Sequence, residues 1–486
     1  MRQSLVIFLT ICTAAFSGST VLASNTIAAD TIKRKRAIIP DTSRYLEINK
    51  IIIKGNTLTR NSIIQRELVL KPGDVIQESY LPEVLEKDRR KIFNLRLFHT
   101  VVIHPIDAGE NKIDLLIELE ERWYTFPIPI FRLSDRNFNE WWENYNHDFN
   151  RVNYGLKLYQ YNLWGRNHTL IFTSQFGFQK RFELTYRVPY INAKQKQGLI
   201  FEMDLIEAKN VADSTVDHKL DYFKFNRVLR NTKGIGLTYT YRNNFYNHHR
   251  IKYEYRQTDI ADTLQDLNPN YLGKNRVQQK YDAITYEFVS DHRDVIAYPL
   301  HGSLFNLHIQ KYGVGLHDDL NKTDGYASFA GFIDLKKNFF MSNLSFLYLS
   351  TPDNLPYFNY GAMGYDKIFI RGYEVYVIEG PKFFLNKTTV KKRIFSRNWN
   401  LDFWQIEQFN YFPLAIYLKA YADWGYVHTY SAYTDNSINT ILSNKFLGGA
   451  GAGVDIVTAY DVVLRLEYTF TSQNTNGFFL HIKKEF

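Results

Sequence analysis

The most conspicuous candidate for chemistry is the run Gly449-x-Gly451-x-Gly453, which superficially suggests a nucleotide-binding loop. Such a loop holds phosphate only where it follows a strand, opens a helix and carries the full glycine fingerprint. No helical pattern follows this run, and all three glycines share strand parity with Asp455. We therefore expect small residues on one face of a strand, and no nucleotide cofactor.

Histidine and cysteine could supply metal ligands or a nucleophile, but their positions favour neither. His248 and His249 are adjacent, and no His-x-x-x-His pair of the kind that binds zinc on a helix is present. Cys12 is the only cysteine, and no nucleophile elbow, Walker loop or zinc-protease motif is found. The sequence therefore predicts no catalytic residue, no metal site and no cofactor, and hence a protein that is not an enzyme.

An arginine and an aspartate offer a different chemistry, because a guanidinium and a carboxylate can form a bidentate, charge-assisted pair. Asp423 lies in an alternating segment and shares parity with Lys419 and Tyr421, so it faces the polar side of a predicted strand. Spacing alone leaves two interpretations open. Either Arg371 pairs with Asp423, or Arg371 lies on an external loop and Asp423 is merely solvated.

The N-terminus has the pattern of an export signal. Arg2 precedes an apolar run, and the small-residue pattern Val21–Ala23 follows it, which predicts a signal peptide over residues 1–23. Lipidation of Cys12 is the less favoured alternative, since a bulky residue stands before it. Residues 24–45 are basic and lack apolar periodicity, so we expect a linker there.

Composition narrows the class of protein further. The 486 residues include 59 basic and 50 acidic side chains, 16% aromatic residues and a mean hydropathy of −0.33. No run of about 20 apolar residues follows the leader, so neither a disordered chain nor a bundle of membrane-spanning helices fits. The basic excess is spread along the chain, and export argues against nucleic acid as a partner.

Residues 46–122 carry a mixed pattern that predicts one small α+β domain. The predicted order is strand, helix, helix, strand, strand, around the segments Ile51–Ile53, Ile63–Leu68, Leu81–Ile92, Leu97–Ile106 and Lys112–Glu120. Thr59 could cap the first of these helices. A domain of this order is complete in itself, which makes the next segment a separate unit.

After Trp123 the helical period gives way to a period of two. The segments Lys233–Tyr241, Leu414–Asp423 and Val462–Phe470 each place apolar and aromatic residues on one face, and polar residues or glycine on the other. At about 9–11 residues per strand plus turns, residues 124–486 fit roughly 16 strands.

Alternation fits both a soluble sandwich and a membrane-spanning barrel, and the chemistry of the two faces favours the barrel. One face is too charged for the core of a sandwich but suits an aqueous lumen. The other face is heavily aromatic, as interfacial girdles require. The chain stops at Phe486, at the end of a strand that places this residue on the lipid side. We therefore predict a transmembrane antiparallel β-barrel preceded by one small α+β domain.

Together these features resemble the outer-membrane β-barrel assembly family, of BamA/TamA-like proteins. Residues 46–122 look like a POTRA domain, the βααββ module of that family. Ile370–Tyr373 resembles the arginine-glycine-aromatic motif of the family, and Tyr421–Gly425 is similar to its aromatic-x-Asp-x-Gly strand motif. Asp291–Asp294 followed by Pro299–Gly302 matches another recurrent pattern of these proteins.

The resemblance implies a lumen loop lock made of four residues. Arg371 would lie at the tip of a long loop folded into the lumen and would pair with Asp423 on the barrel wall. Gly372 would let the loop turn tightly, and Tyr373 completes the motif. The resemblance thus favours the paired interpretation of these residues.

Two prolines near the start of the barrel suggest a lateral gate. Pro127 and Pro129 fall in the first predicted strand, and proline lacks the N–H that a central strand needs. Barrel closure joins this strand to the one that ends at Phe486. If the missing donors face that seam, the seam is weak and could admit a client strand. The alternative is that the prolines form a linker or face the second strand.

The resemblance implies an insertion factor for outer-membrane proteins in a Gram-negative bacterium, with the POTRA-like domain in the periplasm. Its partners would be unfolded outer-membrane clients and outer-membrane lipids, and accessory periplasmic or lipoprotein subunits are left open. The main alternative is a polypeptide secretion channel of the same superfamily with a single POTRA domain. A passive porin or receptor is a third option, although it would have no use for a POTRA-like domain.

Overall fold

A computed structural model provides the fold of the chain. The structure describes residues 44–134, 141–142, 145–192, 194–244, 246–366, 368–400, 411–458 and 462–482. The predicted signal peptide, nearly all of the predicted linker and Phe486 lie outside these described residues, so those expectations stay predictions.

The first part of the chain is the expected α+β domain. Its elements are β1 (Tyr45–Lys54), α1 (Asn61–Gln65), β2 (Val75–Gln77), α2 (Leu81–Phe93), β3 (Phe98–Gly109) and β4 (Lys112–Glu121). The sheet order is β2-β1-β4-β3, with β1 parallel to β4 and the other pairs antiparallel. The predicted order is confirmed, and the structure adds β2, which is too short for periodicity to reveal.

The α+β domain is held by the apolar faces of its helices. α2 buries Leu81, Leu85 and Ile92 against the sheet, at the spacing of one helical face. The predicted cap at Thr59 is wrong, because Arg60 occupies the N-cap position of α1 without any side-chain bond to the helix. The Thr59 side chain is instead buried between the domain and the barrel.

Besides two single-turn 3-10 helices (Phe149–Arg151 and Tyr357–Asn359), the second part of the chain contains twenty described strands and two short α-helices. They are β5 (Thr125–Leu133), β6 (Val152–Leu163), β7 (His168–Gly177), β8 (Gln179–Val188), β9 (Gln197–Ala208), β10 (Asn210–Val216), β11 (Lys219–Lys224), β12 (Arg230–Arg242), β13 (Asn247–Ile260), α3 (Asp262–Leu267), β14 (Gln278–Asp291), β15 (Gly302–Tyr312), β16 (Thr323–Lys336), β17 (Phe339–Thr351), β18 (Ala362–Asp366), β19 (Ile378–Glu379), β20 (Lys382–Asn400), β21 (Tyr411–His428), α4 (Ser431–Asp435), β22 (Phe446–Thr458), β23 (Val463–Thr471) and β24 (Asn476–Ile482). Two pairs, β10–β11 and β18–β19, form separate hairpins. The other sixteen strands form one antiparallel sheet, so the predicted 16-stranded barrel is confirmed.

The strands of this sheet are arranged in the order in which they occur in the chain, and β5 and β24 are the first and last strands of that order. We call the end of the barrel next to the α+β domain the near end, and the opposite end the far end. Two of the connections at the far end contain further strands. One carries β10 and β11. The other, residues 352–381, carries β18 and β19 and is called the inner loop.

Strand parity separates the lumen from the outer surface as the alternation predicts. On β21, Lys419 and Asp423 are 5% and 3% exposed, whereas Leu418 and Trp424 are 47% and 46% exposed. The apolar outer face and the polar inner face are those expected of a barrel that spans a membrane. No helix among the described residues is long and apolar enough to cross a membrane.

The inner loop folds back into the lumen and brings its own apolar core. Met363, Ile370 and Ile378 of the loop are buried against the wall residues Leu385 and Val427. Burying apolar side chains inside a polar lumen stabilises the loop in one position.

A shorter connection closes part of the near end. Residues 292–301 join β14 to β15 and insert Tyr298 beneath the lumen, where its hydroxyl donates to Asp455 at 2.9 Å. Gly302 ends this connection with φ of 96°, and a Cβ there would lie 2.0 Å from the carbonyl oxygen of His292. The glycine that ends the Pro299–Gly302 motif is therefore required by a tight turn that other residues cannot adopt.

Candidate functional site in the barrel lumen

Two neighbouring strands form the wall on which the inner loop rests. β21 turns Tyr421 and Asp423 into the lumen, and β22 opposite it presents Gly449 and Gly451. These glycines face the lumen, as their parity predicts. Because they carry no side chains, the wall has a recess that a loop backbone can enter.

The structure brings Arg371 of the inner loop and Asp423 of the wall into direct contact. Arg371 Nη2 donates to Asp423 Oδ1 at 2.5 Å, and Arg371 Nε donates to Oδ2 at 2.8 Å. The backbone N–H of Arg371 also donates to Oδ2, at 3.1 Å. Both side chains are buried, so the pair has the bidentate geometry of a strong charge-assisted contact in a site with little water.

Further wall groups surround the guanidinium of Arg371. Its Nη2 donates to Thr389 Oγ1 at 3.0 Å, and its Nη1 lies 3.5 Å from Glu467 Oε1. The centre of the guanidinium stands 3.8 Å from the ring centroid of Tyr421, a cation–π contact. The hydroxyl of Tyr421 is in turn 2.7 Å from Thr469 Oγ1. Arg371 is therefore held on several sides by charge, hydrogen bonds and an aromatic face.

Glycine is required at the turn of the inner loop. Gly372 has φ of 91°, and a Cβ there would lie 2.5 Å from Thr471 Cγ2. Its N–H donates to Glu374 Oε2 at 2.7 Å. The next residue, Tyr373, is 2% exposed, and its hydroxyl is 3.1 Å from Ser472 Oγ. All three residues of the arginine-glycine-aromatic motif thus contact the wall.

The inner loop also reaches the last strand of the sheet. His481 Nε2 on β24 lies 3.6 Å from Glu374 Oε1 of the loop and 3.5 Å from Glu467 Oε2 of β23. These three residues bring atoms of metal-ligand type within 4.8 Å of one another. Lys419 is 2.8 Å from Glu467 and already balances its charge, so we interpret the group as a polar link between loop and strand.

The two prolines of β5 lie on the edge that faces away from β6. Tyr161 N–H donates to the Tyr124 carbonyl at 2.7 Å, and Ser134 N–H donates to the residue preceding β6, also at 2.7 Å. The register between these bonds is unbroken. Even-numbered residues of β5 therefore bond to β6, and odd-numbered residues direct their backbone groups to the other edge. Pro127 and Pro129 thus leave two donors missing from the edge at the barrel seam.

The opposite edge of the seam has its donors. Thr471 N–H donates to the Thr475 carbonyl at 2.8 Å, which directs the backbone groups of Asn476, Phe478 and Leu480 away from β23. Within the described parts of β5 and β24, no backbone hydrogen bond joins the two strands. Phe486, the third predicted gate residue, lies outside the described residues.

The α+β domain is fastened to the near end of the barrel through a small buried polar cluster. Thr59 Oγ1 accepts a bond from Asn162 Nδ2 at 2.7 Å and lies 3.1 Å from the Tyr124 hydroxyl. The Glu121 carboxylate accepts from Thr57 Oγ1 at 2.7 Å and from Thr59 N–H at 2.6 Å. Burial raises the pKa of Glu121, but these hydrogen bonds outweigh burial and hold the pKa below its usual value.

Comparison with known proteins agrees with this architecture. Residues 46–122 match the family model described as "POTRA: Surface antigen variable number repeat". A "Putative outer membrane protein assembly factor" of Treponema pallidum (strain Nichols) is 33% identical over 97 residues, which are 20% of this chain and 11% of that relative. "Outer membrane protein assembly factor BamA" of Neorickettsia risticii (strain Illinois) is 40% identical over 86 residues, 17% of this chain and 11% of the relative. The matched segments thus span about a tenth of the curated relatives.

Solved structures match nearly the whole fold. The crystal structure of BamA from Haemophilus ducreyi lacking POTRA domains 1–3 has a TM-score of 0.60 at 13% identity, over 90% of this chain and 83% of that one. The chain therefore has the fold of this BamA barrel with its POTRA domains. CdiB from Acinetobacter baumannii matches with a TM-score of 0.50 at 11% identity, over 90% of this chain and 74% of CdiB. Identities this low establish the shared fold alone.

Sequence reasoning missed part of the buried charge network beside Arg371. Lys419 Nζ lies 2.5 Å from Asp455 Oδ1 and 2.8 Å from Glu467 Oε1, and Arg465 Nε donates to Asp455 Oδ1 at 3.1 Å. All four residues are buried. Their shared inward parity was visible in the sequence, but their neighbours across strands depended on the register.

Proposed function

We propose that this protein inserts other β-barrel proteins into the outer membrane of a Gram-negative bacterium. Unfolded barrel clients would be captured on the periplasmic side and released into the bilayer through a lateral gate between β5 and β24. The names of the curated relatives support the class of activity, and the fold supports an outer-membrane location with the POTRA domain in the periplasm.

The geometry of the seam is the observation that carries the gate. The seam edge of β5 consists of Thr125, Pro127, Pro129, Phe131 and Leu133, and the two prolines cannot donate. Each backbone hydrogen bond contributes about 0.5–1.5 kcal/mol net, so the missing donors weaken closure by roughly 1–3 kcal/mol. A seam weakened in this way opens at lower cost than the same seam would with both donors present.

The mechanism needs no bond-making chemistry. An opened seam exposes the N–H and C=O groups of β24 that point away from β23, such as those of Asn476, and these groups can pair with a client hairpin. Pairing satisfies the client backbone inside the bilayer, where an unsatisfied group costs several kcal/mol. The free energy of insertion comes from the client, which buries its apolar outer face in lipid.

Capture would use the free edge of the POTRA sheet. β3 lies at one end of the sheet order and is paired only with β4 among the described strands. An extended client segment can add to such an edge through backbone hydrogen bonds that do not depend on its sequence. Outer-membrane lipids surround the barrel as its second partner, and accessory subunits would contact the periplasmic side.

The lumen loop lock gives the gate a fixed frame. Arg371, Gly372, Tyr373 and Asp423 attach the inner loop to β21–β23, and His481 extends the contact to β24. We propose that this attachment keeps the wall beside the seam rigid, so that opening is confined to the pairing of β5 with β24. The secretion alternative would require a path through a lumen that the inner loop occupies.

Restoring the missing donors tests the gate. The variant Pro127→Thr/Pro129→Thr should close the seam more tightly and slow client insertion into liposomes about fivefold or more, as expected for two added hydrogen bonds. The matched control is Ile130→Thr, whose N–H already faces β6, and insertion should continue near the wild-type rate. Unchanged insertion by the proline variant would rule out this seam as the gate.

Depletion of the protein in cells separates insertion from secretion. Loss of many unrelated barrels from the outer membrane is the expected result for a general factor, and loss of a narrow set would indicate a dedicated one. If barrels persist and a single secreted polypeptide disappears, the insertion proposal is wrong and the secretion channel takes its place.

A further inference from the structure

A cavity of about 770 Å³ lies between the POTRA domain and the near end of the barrel. We call it the vestibule and define it by Arg96, Arg122, Trp123, Tyr161 and Arg187, which line it together with residues of β5, β8, β9 and β12. Both domains contribute walls, so the vestibule exists only where the POTRA domain meets the barrel.

The vestibule carries positive charge without a matching carboxylate. Its described lining contains Arg96, Arg122 and Arg187 and no acidic residue, and none of the three arginines forms an ion pair with a described residue. Arg181, which also faces the lumen, is by contrast paired with Glu183 at 3.0 Å. Three cations facing one cavity attract an anionic ligand, and the low-dielectric walls strengthen that attraction.

Exposed aromatic rings lie beside these cations. Trp123 is 75% exposed, Phe126 is 44% exposed and Tyr161 is 38% exposed. Large apolar surface left open next to positive charge is typical of binding sites rather than of ordinary protein surface. The matching ligand therefore combines carboxylates with aromatic or apolar side chains.

The vestibule is on the lumen side of the wall, which separates it from the lipid acyl chains. Phe126 and Ile128 line it and share parity with Arg132, whose guanidinium donates to the buried Gln175 at 2.8 Å. The opposite part of the near end is closed by Tyr298. A polypeptide approaching from the periplasm thus meets an open chamber beside β5.

We propose that the vestibule binds an acidic, aromatic segment of an extended polypeptide before that polypeptide reaches β5. The inference rests on the proposed function, because the polypeptide would be a client awaiting insertion. Carboxylates of the segment pair with the arginines, and its aromatic side chains pack on Trp123 and Phe126.

Peptide binding to the full-length protein in nanodiscs of zwitterionic lipid tests the vestibule. A short fluorescent peptide that alternates Glu and Phe should bind, and the same peptide with Lys in place of Glu should not. The variant Arg96→Gln/Arg187→Gln should weaken binding about tenfold or more, with a smaller dependence on salt. The matched control is Arg227→Gln, an exposed arginine at the far end, which should leave affinity unchanged.

Any one of three results would overturn the inference. The first is equal binding of the lysine peptide, and the second is unchanged affinity in the double variant. The third is displacement of the acidic peptide by phosphatidylglycerol vesicles, which would assign the arginines to lipid headgroups.

The insertion assay keeps the two proposals distinct. If insertion still responds to Pro127→Thr/Pro129→Thr while no peptide binds, the vestibule inference fails alone. If the peptide binds as expected but no client is inserted, the insertion proposal fails and the peptide site stands.

Discussion

The carbonyl oxygen of Arg371 lies 2.0 Å from the position that a Cβ would take at Gly449. Every residue other than glycine at this wall position would collide with the backbone of the inner loop. The loop therefore approaches β22 as closely as backbone can approach backbone, and the glycine run that superficially suggests a nucleotide loop is the recess that receives it.

Replacement of Gly449 should displace the inner loop. We expect Gly449→Ala to destabilise the folded barrel by about 1–3 kcal/mol, the usual cost of overpacking, and to expose residues 352–381 to protease. The matched control is Gly448→Ala next to it, where the nearest atoms would stand 3.9 Å from the new Cβ. Equal protease resistance of both variants would contradict the close approach.

The buried pair of Arg371 and Asp423 should behave as one unit. Arg371→Ala and Asp423→Ala should each cost about 3–5 kcal/mol, because each leaves an uncompensated buried charge. The double variant should lose little more stability and insertion activity than either single variant. Denaturation of the purified barrel measures the stability, and client insertion into liposomes measures the activity. Additive losses in the double variant would show that the two residues act independently.

A less buried ion pair in the lumen provides the control for the Arg371 and Asp423 variants. Arg250 Nη1 lies 3.2 Å from Glu287 Oε2, with side chains 50% and 33% exposed. Truncating either partner should cost about 0–1 kcal/mol, as for other solvated pairs. A large effect at this pair would mean that the barrel is sensitive to any lost charge rather than to the lock.

Closure of the far end should depend on pH through His218. This residue lies in the turn between β10 and β11, where its N–H donates to Asn439 Oδ1 at 2.9 Å and its Nε2 accepts from Leu442 N–H at 3.0 Å. Its carbonyl accepts from Val377 N–H at 2.7 Å, which ties the hairpin to the inner loop. Burial lowers the pKa of His218 to about 4, so the closed far end holds a neutral imidazole.

The sign of the pH effect follows from the lowered pKa. An opened far end would return the His218 pKa to about 6.5 and take up a proton that the closed form excludes. Closure is therefore fully stable above about pH 6.5 and loses about 2 kcal/mol by pH 5. Hydrogen exchange at Leu442, corrected for its intrinsic rate, should become about thirtyfold faster. His218→Gln, which keeps an acceptor and cannot titrate, should abolish this change.

The attachment of the POTRA domain should depend on Glu121. Its carboxylate holds the segment Thr57–Thr59 that contacts the barrel, and Glu121→Gln should weaken this attachment by about 1–2 kcal/mol, since hydrogen bonds to a charged acceptor are lost. Faster hydrogen exchange at the Thr59 amide measures the change. Glu120→Gln is the matched control on the exposed neighbouring position, and an equal effect there would contradict the assigned role.

The architecture was largely readable from the sequence because its signals are local. Side chains alternate along any strand, so parity alone assigns Asp423 and Gly449 to the lumen face. The helical spacing of Leu81 to Ile92 likewise located α2. The misplaced cap at Thr59 shows the limit of such signals, because its side chain bonds to Asn162, more than a hundred residues away.

The candidate site depended on contacts that no local pattern encodes. The residue types made a pair between Arg371 and Asp423 possible, and the family resemblance favoured it. The other members of the site, Glu467, Thr389 and His481, are brought there only by the strand register and the path of the inner loop. The edge on which Pro127 lies was undecided in the sequence for the same reason.

The sequence by itself determined the order of the elements, the two faces of each strand and the absence of recognisable catalytic motifs, because backbone geometry imposes those periods within a few residues. Only the tertiary structure decided that the prolines face the seam, that Glu467 and His481 meet the inner loop in the lumen, and that three arginines without an ion pair to a described residue line the vestibule. Each of these depends on the pairing of segments far apart in the chain, and that pairing is set by the packing of the whole barrel rather than by any local preference.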